Sequence, residues 1–157
     1  MEIRDARAED AEAACDVLRR SITELCYADH QNDPAILKQW LRNKTPEQFT
    51  SWISRPGNSV LVAIEDGIIL AVGAVTDAGE IGLNYVAPDA RFRSVSRTLL
   101  GALEARAMDR GNTKCRLTST ETARRFYRTN GYDDDGTPVS AVESVLGYPM
   151  FKLLSKQ

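Results

Sequence analysis

The sequence predicts one mixed α/β domain, of the α+β kind, that spans residues 1–157 and is built around a single sheet of about seven strands. Three observations support this prediction. A chain of 157 residues has a one-domain length and can bury roughly two thirds of its unfolded surface. Short β-branched runs alternate with segments of helical periodicity. Glycine and proline stand singly between these segments, so no linker divides the chain.

The first third of the chain predicts one strand followed by three helices. Residues 1–6 suit a short strand, and Asp10 is placed to cap a helix that runs to about Tyr27 with apolar residues on one face. A polar break over residues 29–34 precedes the second helix. Thr45 followed directly by proline indicates a third helix, because threonine caps helices well and proline is tolerated in the first turn.

The rest of the chain predicts a meander of three strands, at residues 59–65, 68–76 and 80–86, and then alternating helices and strands. An Asp-Gly dipeptide between the first two strands favours a tight hairpin turn. The later helices are expected at residues 93–110 and from Ser119 or Thr120 to Arg128. The later strands are expected at residues 114–118, 132–136 and 145–154.

Composition argues against several classes of protein. The formal net charge is -2 and the isoelectric point about 5.5, so we expect no binding to nucleic acid or to a membrane. Three cysteines without a Cys-x-x-Cys pair argue against a disulfide framework and a zinc site, and we expect no metal. The charged N-terminus does not resemble a signal peptide, and the longest apolar run, residues 68–75, is too short to span a bilayer. A cytoplasmic location is the resulting expectation.

Residues 86–100 contain the pattern that indicates chemistry: a strand ends at a proline, a polar loop follows, and an amphipathic helix begins. The first turn of a helix has backbone N–H groups without intrahelical partners and about half a positive charge, which together attract anions. The small residues and arginines that could assist here are Ser94, Ser96, Arg91, Arg93 and Arg97. The same segment is compatible with a plain strand–loop–helix connection whose arginines are solvated.

This segment resembles motif A of the GCN5-related N-acetyltransferases, in which a strand ending in Val-x-Pro leads to Arg-x-x-Gly-x-Gly/Ala and to a helix with a Leu-Leu pair. The matching positions are Val86, Pro88, Arg91, Leu99 and Leu100. Residues 123–132 resemble the family's Ala-x-x-Phe-Tyr-x-x-x-Gly-Phe/Tyr block. The predicted order of strands and helices is similar as well. Ser94 and Ser96 stand where the family has glycines.

The resemblance implies the family fold, in which parallel strands splay apart around acetyl-CoA, and direct transfer of an acetyl group to an amine. The residues it assigns to acetyl-CoA are Tyr85, Val86, Ala87, Arg91, Phe92, Arg93, Ser94, Val95, Ser96, Arg97, Thr120, Ala123 and Phe126. A backbone N–H near Val86 or Ala87 is expected to polarise the thioester carbonyl. Serine can donate to a phosphate but is strained at a positive φ, so the departures at 94 and 96 bear on the affinity for CoA.

The resemblance also implies catalytic roles. Tyr127 matches the family tyrosine that protonates the departing CoA thiolate, and we expect it to be the general acid. The alternative is that Tyr127 only packs beside Phe126. Glu80 lies where some relatives keep a carboxylate base, although its position also suits an ordinary turn-flanking residue.

Two other features allow two interpretations each. His30, the only histidine, could be a base or a substrate ligand, or a surface loop residue without a role. Three arginines, Arg124, Arg125 and Arg128, could meet the 3′-phosphate of CoA or form a solvated helix face.

The leading functional prediction is an N-acetyltransferase that acts on a small-molecule or peptide amine, and a homodimer is possible because relatives often dimerise. The alternative from another class is a non-catalytic acyl-CoA-binding or regulatory module on the same fold, supported by the two serines. A third interpretation is a structural α/β domain without a nucleotide site, because fold does not fix function.

Overall fold

The computed structural model describes residues 1–142 and 145–155. Its strands are β1 (Glu2–Asp5), β2 (Asn58–Glu65), β3 (Ile68–Thr76), β4 (Glu80–Val86), β5 (Lys114–Ser119), β6 (Asp133–Asp134), β7 (Val139–Val142) and β8 (Val145–Leu153). Its α-helices are α1 (Ala11–Leu25), α2 (Tyr27–His30), α3 (Pro34–Leu41), α4 (Pro46–Ser54), α5 (Val95–Asp109) and α6 (Arg124–Thr129). Single turns of 3-10 helix precede α1 and follow β4.

All eight strands belong to one sheet, which confirms the predicted α/β class. The strand order is β1-β2-β3-β4-β5-β8-β6, and β7 pairs with the first residues of β8. Among the described strands only β4 and β5 pair in parallel; the other pairs are antiparallel. The eighth strand, β7, was not predicted, because its residues are mostly exposed and lack a run of apolar side chains.

The hairpin between β2 and β3 forms at the predicted dipeptide. Asp66 and Gly67 both have a positive φ, 53° and 79°, which is the backbone that a two-residue hairpin turn requires. The turn fixes the register of two strands whose central residues are buried. These strands are the second and third in the sheet, and helices α1 and α5, which help to line the site, pack against β3.

A β-bulge at Gly82 separates the parallel strands. β4 and β5 pair only at Glu80 with Arg116 and at Ile81 with Leu117. The register between β3 and β4 shifts at the next residue, so Gly82 has no opposite partner on β3. A bulge bends its strand and increases its twist, so β4 turns away from β5 beyond this point. The splay expected from the family resemblance is therefore present, and it opens toward the carboxyl ends of both strands.

Helix α5 packs closely on β3 because β3 has a glycine at the contact. A Cβ atom added to Gly73 would lie 2.8 Å from Leu103 Cδ1 and 3.2 Å from Leu99 Cδ2. Both leucines are fully buried, and interiors packed at crystal-like density leave no room for an added methyl group. The glycine thus fixes the height of α5 above the sheet, and with it the position of the helix's first turn.

Of two predictions about the first helices, one holds in part and one is wrong. Asp10 is the N-cap residue of α1, as predicted, but its side chain makes no capping hydrogen bond to that helix; its carboxylate accepts from the Arg7 N–H at 2.7 Å and pairs with Arg4 at 2.8 Å. His30 is not a surface loop residue, because it is the last residue of α2, which overlaps the expected polar break, and its side chain is fully buried. By contrast, Thr45 caps α4 as predicted, accepting from the Gln48 N–H at 3.2 Å.

The buried imidazole of His30 uses both of its nitrogens in the fold. Nδ1 accepts from the Asn32 N–H at 2.9 Å, which leaves Nε2 to donate to the Ile22 carbonyl, also at 2.9 Å. A ring engaged on both sides has no free nitrogen for a substrate. Both suggested roles of His30, as a base and as a substrate ligand, are therefore wrong, and the residue joins α2 to α1.

No helix in the described part of the chain is both long and apolar enough to cross a bilayer. The described residues also bring no three histidine, cysteine, aspartate or glutamate side chains together as metal ligands.

Candidate active site

The segment between β4 and α5 forms an anion-binding geometry. Phe92 and Ser94 adopt left-handed backbone angles, with φ of 67° and 62°, and Ser94 is the N-cap residue of α5. The first helical hydrogen bond runs from the Thr98 N–H to the Ser94 carbonyl at 3.0 Å. The N–H groups of the three residues before Thr98 therefore have no carbonyl one turn earlier and point out of the helix end. They carry the positive end of the helix dipole.

The side chains around this turn differ in whether they are free to contact an anion at the start of α5. Arg97 donates to Ser94 Oγ at 3.2 Å, and the Arg91 guanidinium lies 4.5 Å from the centroid of the Phe92 ring. The Phe92 side chain is exposed. Arg93 instead forms an ion pair with Glu65 at the end of β2. Two of the three expected arginines thus remain beside the helix start, and the third is held by a strand.

One cavity of about 600 Å³ extends from this turn to α6. Its walls come from the end of α1, the end of β4, the start of α5, and the segment from β5 through α6. The lining residues are Ser21, Leu25, Cys26, Asn84, Tyr85, Val86, Arg91, Phe92, Ser94, Val95, Ser96, Arg97, Thr120, Thr122, Ala123, Phe126, Tyr127, Thr129 and Asn130. This volume lies in the range of roughly 300–1,000 Å³ that is usual for small-molecule and cofactor sites.

Tyr127 belongs to α6 and therefore lines the cavity from a different wall than the start of α5. Its side chain is buried, and its hydroxyl accepts a hydrogen bond from Asn84 Nδ2 at 3.3 Å. Desolvation raises the pKa of Tyr127 to about 12, and the Asn84 hydrogen bond opposes that rise. Its ring also packs edge-on to Phe126 at 5.3 Å between centroids. Packing beside Phe126 and facing the cavity are therefore both properties of this side chain.

A second cavity of about 60 Å³ occupies the gap between the splayed strands. It is lined by Ile81 to Tyr85 on β4 and by residues 117–120 at the end of β5, with Ala123 and Tyr127. Five residues line both cavities and so form the boundary between the gap and the larger space: Asn84, Tyr85, Thr120, Ala123 and Tyr127.

The structure brings most of the predicted site residues to the large cavity. The lining includes Tyr127 and every expected cofactor residue except Ala87 and Arg93. The Ala87 N–H already donates to the Leu70 carbonyl at 2.8 Å, so it is not available to a thioester. Glu80 lies at the opposite end of β4 from the cavity and pairs with Arg116 at 3.4 Å, so it is not near Tyr127.

The arginines of α6 are partly engaged with the protein itself. Arg128 pairs with Asp134 at 3.0 Å. Arg124 pairs with Glu121 at 3.3 Å and covers the Tyr148 ring at 4.0 Å from its centroid. These contacts favour the helix-face interpretation over a role in binding the 3′-phosphate.

Sequence reasoning did not assign a role to the part of the cavity wall that α1 supplies. Ser21, Leu25 and Cys26 line the cavity, and Ser21 is buried. The available signal was the polar Ser21 on the apolar face of a helix. Asn84, a polar residue inside an otherwise largely apolar strand, was a similar signal for a site side chain.

Asp29 joins α2 to the loop before α6. Its carboxylate accepts from the N–H groups of Glu121 and Thr122 at 2.7 and 3.2 Å and from the Thr122 hydroxyl at 2.6 Å. These three hydrogen bonds hold α2 against the loop that leads into α6, which forms one wall of the cavity. The arrangement of Tyr127 relative to α1 therefore depends on this contact.

The comparisons with known proteins agree with this architecture. The family model described as an acetyltransferase (GNAT) domain matches residues 26–154. Among solved structures, a GCN5-related N-acetyltransferase from Rhodopseudomonas palustris is 25% identical, with a TM-score of 0.86 and coverage of 98% of this chain and 95% of that one. The PaiA N-acetyltransferase from Thermoplasma acidophilum, solved with coenzyme A, is 22% identical, with a TM-score of 0.83 and 98% of both chains covered.

A ribosomal-protein-alanine N-acetyltransferase from Brucella melitensis is 22% identical, with a TM-score of 0.72 and coverage of 98% of this chain and 100% of that one. No match was found among curated proteins. The family model covers most of the chain, and the chain therefore belongs to the GNAT acetyltransferase family.

Proposed function

We propose that this chain transfers the acetyl group of acetyl-CoA to a primary amine of a small molecule or peptide, with Tyr127 as general acid. The observation that carries the proposal is the cavity of about 600 Å³ that connects the first turn of α5 with the Tyr127 hydroxyl. An anion-binding turn and a proton donor, on different wall segments, both line this cavity. Membership of the acetyltransferase family and the coenzyme A complex of the Thermoplasma relative support the same assignment.

The residues at the start of α5 fit a pyrophosphate group. Three outward-pointing N–H groups, the helix dipole and the guanidinium groups of Arg91 and Arg97 supply donors and positive charge. The Ser94 hydroxyl, which accepts from Arg97, still has a hydrogen to donate. The serine therefore provides a donor that glycine lacks, at the cost of a left-handed backbone.

The edge of β4 fits the amides of pantetheine. Beyond Ile81 this strand has no β5 partner, so its backbone groups on that side face the gap. Acetyl-CoA, when bound there, supplies an acetyl thioester. A strand edge can hold an extended chain through main-chain hydrogen bonds, and this would direct the thioester toward Tyr127.

Tyr127 is suited to protonate the leaving sulfur. The phenol is protonated at neutral pH and lines the cavity in which the thioester would lie. Its raised pKa makes it a weaker acid, so proton transfer to sulfur depends on the position of the hydroxyl. In the transfer the amine nitrogen forms the bond to the acetyl carbon, the carbon–sulfur bond breaks, and the Tyr127 proton passes to sulfur. The nitrogen loses one proton as the amide forms, and the Tyr127 phenolate takes up one proton in return, so the phenol is restored and no proton is gained or lost overall. Glu80 has no part in this proposal, because it lies at the other end of β4.

Binding and turnover are tested separately. Thermal shift with acetyl-CoA should show an increase in Tm that depends on ligand concentration. Thiol release and product mass are then measured with kanamycin, spermidine, tyramine, lysine and a peptide with N-terminal alanine. We expect a mass increase of one acetyl group on at least one amine. A Tm shift without turnover on any amine would instead support the non-catalytic module, and no shift at millimolar acetyl-CoA would support a structural domain.

A further inference from the structure

Asn84 has one satisfied and one unsatisfied polar atom at the centre of the site. Nδ2 donates to the Tyr127 hydroxyl at 3.3 Å. Oδ1 is buried and has no hydrogen-bond partner within residues 1–142 and 145–155. A buried hydrogen-bond acceptor without a partner costs about 1–3 kcal/mol of stability. The unpaired Oδ1 atom therefore indicates that a bound ligand donates a hydrogen bond to it.

The position of Asn84 limits which ligand this is. The residue follows the Gly82 bulge on β4, where the strand has left β5, and it lines both the large cavity and the gap. The backbone edge of β4 is available to the pantetheine amides. The other hydrogen-bond donor that must come close to Tyr127 during the reaction is the N–H of the incoming amine, and this group can donate to Asn84 Oδ1.

We infer that the Asn84 side chain organises both partners of the transfer: Nδ2 fixes the Tyr127 hydroxyl, and Oδ1 accepts an N–H of the acceptor amine. Because Tyr127 accepts from Nδ2, its own hydrogen is free to point at the sulfur. Because Oδ1 holds one N–H, the nitrogen lone pair is directed toward the acetyl carbon, and the amide dipole favours the positive charge that develops on nitrogen. Asn84 acts on Tyr127 as a positioning residue and on the amine as a binding residue. This inference rests on the proposed function.

Two substitutions separate the two roles. Asn84→Leu, of similar size, removes both polar atoms. We expect acceptor KM to rise about tenfold and kcat to fall about tenfold, the usual effect of one buried hydrogen bond each. Asn84→Asp keeps an acceptor for the amine but no donor when ionised, so the Tyr127 hydrogen turns toward the carboxylate. We expect kcat to fall at least as far as in Asn84→Leu, with acceptor KM unchanged or lower.

The coupling to Tyr127 is tested by repeating Asn84→Leu in a Tyr127→Phe background. There kcat should show no further loss, because the hydroxyl that Nδ2 positions is gone, whereas the tenfold rise in acceptor KM should persist. The Kd of CoA, measured by calorimetry, should stay within twofold in every variant. That constant also shows that each variant is folded and that its cofactor site is intact.

Three results would overturn the inference. The first is unchanged acceptor KM and kcat in Asn84→Leu. The second is a weakened Kd of CoA with normal acceptor KM, which would assign Oδ1 to a pantetheine amide. The third is that Asn84→Leu lowers kcat by the same factor in the Tyr127→Phe background as in the wild-type protein. If the wild-type protein acetylates no amine in the panel, the proposed function fails and this inference with it; an active wild type with any of the three results removes the inference alone.

Discussion

The two ends of the large cavity are built differently. At the start of α5 the ligand-binding groups are backbone N–H groups and exposed side chains, arranged by left-handed residues at Phe92 and Ser94. At the other end the working groups are the hydroxyl of the buried Tyr127 and the side-chain amide of Asn84, whose Oδ1 atom is buried. The first end should respond to backbone geometry and salt, and the second to the loss of single atoms. Each prediction below tests one side of this contrast.

The largest effect is expected from Tyr127→Phe. Removing the hydroxyl leaves the ring packed but takes away the proton donor, so kcat should fall by about 100-fold or more, the usual range for general acid–base catalysis. The Kd of CoA should change less than twofold, because the anion site is at the other end of the cavity. Steady-state kinetics with the fastest amine of the panel and calorimetry with CoA measure the two quantities.

Tyr148→Phe is the matched control for that experiment. This tyrosine also loses only a hydroxyl, its ring contact with Arg124 is preserved, and it does not line the large cavity. We expect its kcat to stay close to that of the wild type. An unchanged kcat in Tyr127→Phe, measured where single-turnover data show that chemistry limits the rate, would remove the tyrosine from the mechanism.

The second effect concerns charge at the anion end. Arg91→Ala should weaken CoA binding about five- to tenfold, the loss of one charge-assisted contact at an exposed site, and the loss should shrink as salt is raised. Arg93→Ala is its control, since that guanidinium is paired with Glu65 and does not line the cavity. Equal losses of affinity in the two variants would show that general positive charge, rather than the position of Arg91, attracts the ligand.

The same contrast explains what could be predicted from the sequence. The anion end follows from local signals, a strand stopped at Pro88 and a helix that begins a few residues later, and the structure places both there. The opposite end depends on contacts between distant residues. Asn84 and Tyr127 are 43 positions apart, and Arg93 and Glu65 are 28 apart. No local pattern of residue types encodes such pairs, so the use of Arg93 and the role of Asn84 became visible only in three dimensions.

The burial of His30 and the strand β7 escaped prediction for related reasons. Polar neighbours made residues 29–34 look like a loop, but the imidazole bonds to Ile22 on the preceding helix and is covered by the fold. β7 is exposed and is held mainly by its backbone pairing with β8. In both cases tertiary hydrogen bonds outweigh the local composition.

The third effect concerns the backbone of the anion end. Ser94→Gly should raise the free energy of unfolding by about 1 kcal/mol. Glycine adopts a positive φ without the strain that a side chain causes, and this gain exceeds the larger backbone entropy that glycine loses on folding. In a chain of this length that is a Tm increase of about 2–4 °C.

Ser96→Gly is the matched control: the same chemical change two residues later, inside α5 and without a positive φ. It should lower the free energy of unfolding by about 0.5 kcal/mol, the difference between the helix propensities of serine and glycine. Shifts of the same sign in both variants would mean that the left-handed turn at Ser94 is not strained.

The smallest expected effect is the absence of an alkaline limb in kcat. Desolvation raises the pKa of Tyr127 to about 12, so the phenol stays protonated far above neutral pH. At pH 10, a tyrosine with its ordinary pKa near 10 would be ionised in half of the molecules, whereas one with a pKa of about 12 is ionised in about one molecule in a hundred. At saturating amine and acetyl-CoA, kcat should therefore not fall between pH 8 and 10 through this group. Varying the pH thus tests the proton donor Tyr127, whereas varying the salt concentration tests the anion-binding turn at the start of α5. A decline of kcat centred near pH 10 that disappears in Tyr127→Phe would show that water reaches the hydroxyl. The contrast between a solvated anion end and a dry proton-donor end would then not hold.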